Sequence, residues 1–117
     1  MQTMTTSEIA TVLAWHDALN AADLDTLVAL SSGDIDIGDA HGAAQGHAAL
    51  RRWAEAQQTT GAELGQMYVR DGIVVVELDD AALAFRVVRD RVTSVFRHDG
   101  LASALEATEL SEADLVR

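Results

Sequence analysis

The residue best suited to chemistry in this chain of 117 residues is Asp39. Ile35, Ile37 and Asp39 alternate with period two, so a strand through them puts all three side chains on one face. The isoleucines mark that face as apolar. A carboxylate there is partly desolvated, which raises its pKa and its strength as a proton acceptor. The plainer alternative puts Asp39 in the loop that follows, capping backbone N–H groups. His16 lies near the centre of an apolar helical stripe and would act with Asp39 as acid and base. Its plainer alternative is a buried neutral imidazole bonded to a backbone carbonyl. Trp15, beside it, offers an indole N–H that can only donate.

His41 falls in a loop that rims the same face. Asp39, His41 and His16 contain the ligand types of a two-His-one-carboxylate site. Their spacing matches no ligand motif, so no metal is assigned. The chain has no Cys, which excludes thiol catalysis, disulfides and Cys-based zinc sites. It carries no nucleophilic triad, P-loop or dinucleotide fingerprint, and no cofactor is expected. Trp53, Leu83, Phe85, Val87 and Val95 are expected to wall an apolar pocket under Asp39, the plainer alternative being ordinary core. Tyr68 is expected to keep its hydroxyl in water, and Arg86 to point to the outer sheet face.

These side chains need elements to hold them. Ile9, Val12, Leu13, His16 and Leu19 recur at helical spacing from about Ser7 to Asn20. A second helix runs from about Asp23 to Ser31, with Leu24, Leu27 and Val28 inward. Residues 31–34 read as a turn and Ile35 to Asp39 as a strand. A glycine-containing loop over 39–46 leads to a third helix from about His47 to Gln58, with Leu50, Trp53 and Ala54 as its buried stripe and Arg51–Glu55 as an exposed pair. Strands follow over 63–70, 72–79, 82–88 and 92–97. Arg70-Asp71-Gly72 is a good hairpin turn; Arg89-Asp90-Arg91 lacks the expected glycine. Leu101 to Thr108 forms a closing helix, and Ser111 can start a last turn.

Helices followed by a run of strands predict an α+β fold. The expected form is one domain over 1–117, a cone-shaped, curved antiparallel sheet with the N-terminal helices on its concave face. Ile73-Val-Val-Val76 is apolar on both faces. A homodimer across the outer face is the expected cover; the alternative cover is the helix after Gly100. The net charge of −11 repels nucleic-acid phosphates and anionic membranes. No apolar run approaches the roughly 20 residues of a membrane span. A start with no positive charge argues against a signal peptide, so a cytoplasmic protein is expected.

The stretch from Trp15 to Leu30, WHDALNAADLDTLVAL, resembles the opening helices of nuclear-transport-factor-2-like domains. IDIGDAHG from Ile35 to Gly42, GHAALRRW from Gly46 to Trp53, the last hairpin and DGLASAL from Asp99 to Leu105 are similar to later parts of that fold. The resemblance implies a cystatin-like α+β roll, in a superfamily that holds ketosteroid isomerases, polyketide cyclases, dehydratases, epoxide hydrolases and non-catalytic domains. It matches Asp39 to the proton-shuttling aspartate of the isomerases. It also puts Trp15 toward the pocket, at an oxyanion-tyrosine position, where helical periodicity favours His16. Leu83 and Ala54 stand where the isomerases have a protonated aspartate and a supporting tyrosine. A base without such donors loses about 3 kcal/mol of catalysis for each. Two functions are therefore expected in competition. One is a cofactor-independent isomerase or cyclase that uses Asp39 as general base on a small apolar compound. The other is a non-catalytic ligand-binding or dimerisation domain.

Overall fold

The structure, a computed structural model, describes residues 3–39, 42–56, 65–78 and 81–116. Its elements are α1 (Thr3–Asn20), α2 (Leu24–Ala29), β1 (Ser31–Asp39), β2 (Gly42–Gln45), α3 (His47–Ala56), β3 (Met67–Arg70), β4 (Ile73–Glu77), β5 (Ala82–Val88), β6 (Arg91–His98) and α4 (Leu101–Thr108), then a 3-10 turn at Glu112–Asp114. The strands form one open sheet in the order β2-β1-β6-β5-β4-β3. All neighbours are antiparallel except β1 and β6, which run parallel. Irregularities between Ser31 and Asp36 and between Arg86 and Val87 bend the strands, as bulges do. The sheet is curved and unclosed, and the fold is α+β as expected.

Alternation assigns each strand residue to one side. Val69, Val74, Val76, Leu83, Phe85 and Val87 join Ile35, Ile37 and Val95 in the main core, closed by Val12, Trp15 and Leu19 of α1, Leu27 of α2 and Leu50 of α3. Tyr68, Val75, Ala82 and Ala84 face the other way and pack with Ala104 and Leu110, flanked by Ile73, Leu101, Leu105 and Leu115. So α4 and the C-terminal segment cover the outer face of β3, β4 and β5 within the chain. That is the alternative cover named above, and Val75 needs no second copy to be buried.

Several expectations change. Residues 31–34 belong to β1: Ser31 pairs with Val92, and only Gly33 and Asp34 between the two registers are exposed. The loop expected over 39–46 contains β2, which pairs Asp39 with Gly42 and Asp36 with Gln45. Its sequence, GAAQ, is exposed throughout and carries no strand-favouring side chain. Backbone pairing alone makes it a strand. Gly38 suits the close approach there, because a Cβ would lie 3.0 Å from both the Gly42 carbonyl oxygen and the Phe96 ring, a tight contact for either. In α1 the buried face is Val12, Trp15, His16 and Leu19, and Leu13 is 40% exposed. Seating the large Trp15 ring against Trp53 and Phe85 turns Leu13 outward. Arg51 pairs with Asp25 of α2 at 3.5 Å, in place of Glu55. Tyr68 is buried, its hydroxyl donating to Gln66 Oε1 at 3.2 Å, because the C-terminal segment bridges to it at Leu115. Among the described residues no helix is long and apolar enough to cross a membrane.

Candidate functional site

Asp39 is the last residue of β1, paired with Gly42 of β2. It is therefore a strand residue and follows Ile35 and Ile37, both in the main core, on their face. Its side chain is half-buried. It lines an open groove of about 260 Å³ between the β1–β2 hairpin and α3. Small residues, Gly42, Ala43 and Ala44 from the hairpin and Ala49 from α3, make the space, and Trp53 of α3 forms the large apolar wall. The helix places Ala49 and Trp53 one turn apart, on the face that meets β1. The indole Nε1 of Trp53 is buried and has no hydrogen-bond partner among the described residues.

Trp15 is elsewhere occupied. It is fully buried, with its ring 6.0 Å from that of Trp53 and 5.2 Å from Phe85, the latter edge-on. Its Nε1 donates to Ser31 Oγ at 2.9 Å, and that hydroxyl donates to the Leu27 carbonyl at 2.8 Å. His47 Nε2 lies 3.3 Å from the Ser31 carbonyl oxygen. The Trp15 N–H thus fixes the α2–β1 junction, and its donor is not free for a ligand. His16, 3% exposed, is also buried. Neither Trp15 nor His16 lines the groove at Asp39. Both residues that competed for the inward position of α1 are interior, and Trp15 is the one in the aromatic cluster.

Of the expected pocket walls, Trp53 shares the groove with Asp39. Leu83, Phe85, Val87 and Val95 are at most 6% exposed and belong to the main core, so among the described residues they pack against side chains. His41 lies outside the described residues. No three His, Asp or Glu side chains converge among the described residues in a way that could hold a metal.

The sequence reading missed Ser31, the groove's alanines and the Trp53 N–H. Ser31 looked like a turn residue because Ser-Ser-Gly-Asp is a turn pattern. The density of small residues from Gly38 to Ala49 was the available signal for the groove: a strand, hairpin and helix made of Gly and Ala leave space where they meet.

No protein-family model matches the sequence, and a search of curated proteins found no match. Solved structures do match. An NTF2-like protein of unknown function from Cytophaga hutchinsonii superposes with a TM-score of 0.70 at 14% identity, covering 78% of this chain and 88% of that one. A candidate polyketide cyclase from Sinorhizobium meliloti gives 0.69 at 19% identity, covering 76% and 94%. An LEH-like epoxide hydrolase from M. tuberculosis gives 0.64 at 18% identity, covering 89% and 93%. At these identities the likeness speaks for architecture and leaves activity open. The chain has the nuclear-transport-factor-2-like fold, the cystatin-like α+β roll that its sequence resembles.

Proposed function

We propose that this chain binds a small apolar molecule carrying one hydrogen-bonding oxygen, in the groove between the β1–β2 hairpin and α3. The observation that carries this reading is the meeting of Asp39 and Trp53 on one groove whose other lining is Ile37 and small residues. At about 260 Å³ the groove is smaller than most ligand pockets, which start near 300 Å³. It suits a molecule smaller than a drug-sized ligand. The Trp53 ring supplies apolar contact. Its N–H is buried without a partner among the described residues, so a ligand oxygen that reached it would relieve a cost of about 1–3 kcal/mol.

Cyclohexanone is a fitting probe. Saturation-transfer NMR should show binding to the chain, weakened at least fivefold by Ala44→Leu, which fills the groove from an exposed position. Equal binding by the filled variant would refute the site.

A second reading is proton transfer, with Asp39 as general base. Its position after two core isoleucines on one strand face favours it, and structures with this fold include a candidate polyketide cyclase. The engaged Trp15 N–H counts against it, since it withdraws the donor expected to stabilise an enolate. Deuterium exchange at the α-carbons of cyclohexanone separates the readings. A base in place accelerates exchange, and Asp39→Asn removes on the order of 100-fold. Binding with no acceleration leaves the non-catalytic reading alone.

A further inference from the structure

The outer face of the sheet carries a second groove, of about 400 Å³, floored by β5 and β6 and walled by the C-terminal end of α4. Its floor follows from register. Ala84 pairs with Phe96, Arg86 with Ser94 and Ala82 with His98. Leu83, Phe85 and Val87 point into the main core, so alternation sends Ala84 and Arg86 outward. Arg86 and Ser94 then sit side by side, their Cβ atoms about 5 Å apart. Ala84 and Phe96 come next along the strands, and His98 lies about 13 Å from Arg86, four residues at the strand rise.

The charges in this groove are unusual for the chain. There are 19 acidic residues against 8 basic ones, yet Arg86 is in none of the ion pairs among the described residues. Arg51 is held by Asp25, and Arg70 by Asp114 and the Glu109 carbonyl. Arg86 is exposed at one end of an amphipathic trough, with the Ser94 hydroxyl beside it and the half-buried Phe96 ring beyond. Glu109 also lines the groove. Its carboxylate has the same sign as an anionic ligand and repels it, the more so with each added negative charge, so a monoanion is the anion least opposed.

We propose that this outer groove is a binding site for a small organic monocarboxylate, separate from the groove at Asp39. The carboxylate lies on the Arg86 guanidinium and accepts from the Ser94 hydroxyl. The apolar part lies over Ala84 and Phe96, with His98 bounding the far end.

The test uses the full chain, 15N-labelled, and sodium phenylacetate. Saturable amide shifts are expected along β5, β6 and the end of α4. Arg86→Gln should weaken binding at least tenfold, and phenylacetamide, the neutral counterpart, should bind at least tenfold more weakly than the acid. Asp39→Asn should leave the titration unchanged. Shifts confined to the β1–β2 hairpin and α3, equal binding of acid and amide, or no saturable response would each overturn the proposal. So would a second copy of the chain occupying the groove, seen as a dimer whose dissociation exposes the β6 amides. If Arg86→Gln does not fold, the comparison of acid and amide on the unaltered chain still decides.

Discussion

Ser31 is fully buried because its hydroxyl has work on both sides, accepting from Trp15 and donating to Leu27. Ser31→Ala strands the indole N–H in the core, at a cost of about 2 kcal/mol. A lower urea midpoint with an unchanged slope would report it; an unchanged midpoint would show that the bond is dispensable. Glu8 makes a different prediction. Burial pushes its carboxyl above the ordinary value of 4.5, aided by Asp71 and opposed by the Gly72 backbone N–H that it accepts. The folded state therefore favours the protonated acid. Its contribution to stability is whole below about pH 4.5 and is lost as the pH rises through the raised value. Glu8→Gln should gain on the unaltered chain as the pH goes from 4 to 7, measured as the difference in urea midpoints. A gap that is constant with pH would contradict this. Asp23 runs the other way. Thr26 donates to it from both hydroxyl and backbone and holds its pKa down, so its capping of α2 fades in acid. At this scale the candidate site was half legible. Asp39 could be placed by alternation alone. The state of Trp15 could not, because its partner Ser31 is 16 residues away and periodicity carries no information about which donor meets which acceptor.

Elements with strong side-chain patterns were readable, and those made by backbone pairing were not. β5 and α4 fall on the expected residues 82–88 and 101–108, because alternation in one case and the Asp99-Gly100 stop in the other are local signals. β2 is Gly and Ala with a Gln, held only by its ladder to β1, and nothing local distinguishes such a segment from a loop. The β5–β6 hairpin shows a compromise. Arg89 and Asp90 both take positive φ, 52° and 65°. That is the backbone of a two-residue type I′ turn, which favours Asn-Gly, as the Asp71-Gly72 turn nearly does. Left-handed backbone costs an ordinary side chain about 1 kcal/mol or more. Replacing the pair, Arg89→Asn with Asp90→Gly, should stabilise the chain by about 1 kcal/mol, seen as a Tm higher by roughly 4 °C. A lower Tm would mean that the native side chains contribute more than the backbone relief.

On the scale of the whole molecule, the curved sheet has a large core on one side and a smaller one under α4 on the other. The large apolar residues left exposed among the described ones are Leu13, Val88 and Val116. They sit on α1, on β5 and in the segment after the 3-10 turn, and scattered residues of that kind do not mark an interface. The homodimer expected from the two-faced Ile73–Val76 strand is thus not required for cover. Sedimentation at micromolar concentration should give a species near 12.5 kDa. A species of twice that mass would mean that the β5–β6 part of the outer face recruits a second copy after all.

The proposed binding puts a ligand oxygen at Trp53, in the groove between the β1–β2 hairpin and α3. The side-chain N–H resonance of Trp53 tests it most directly. During a cyclohexanone titration it should move downfield and saturate together with the amides of Gly42, Ala44 and Ala49, while the Trp15 N–H, held by Ser31, stays in place. A Trp53 resonance that does not move while the ketone binds elsewhere, or does not bind, would contradict the assignment of this groove as the site.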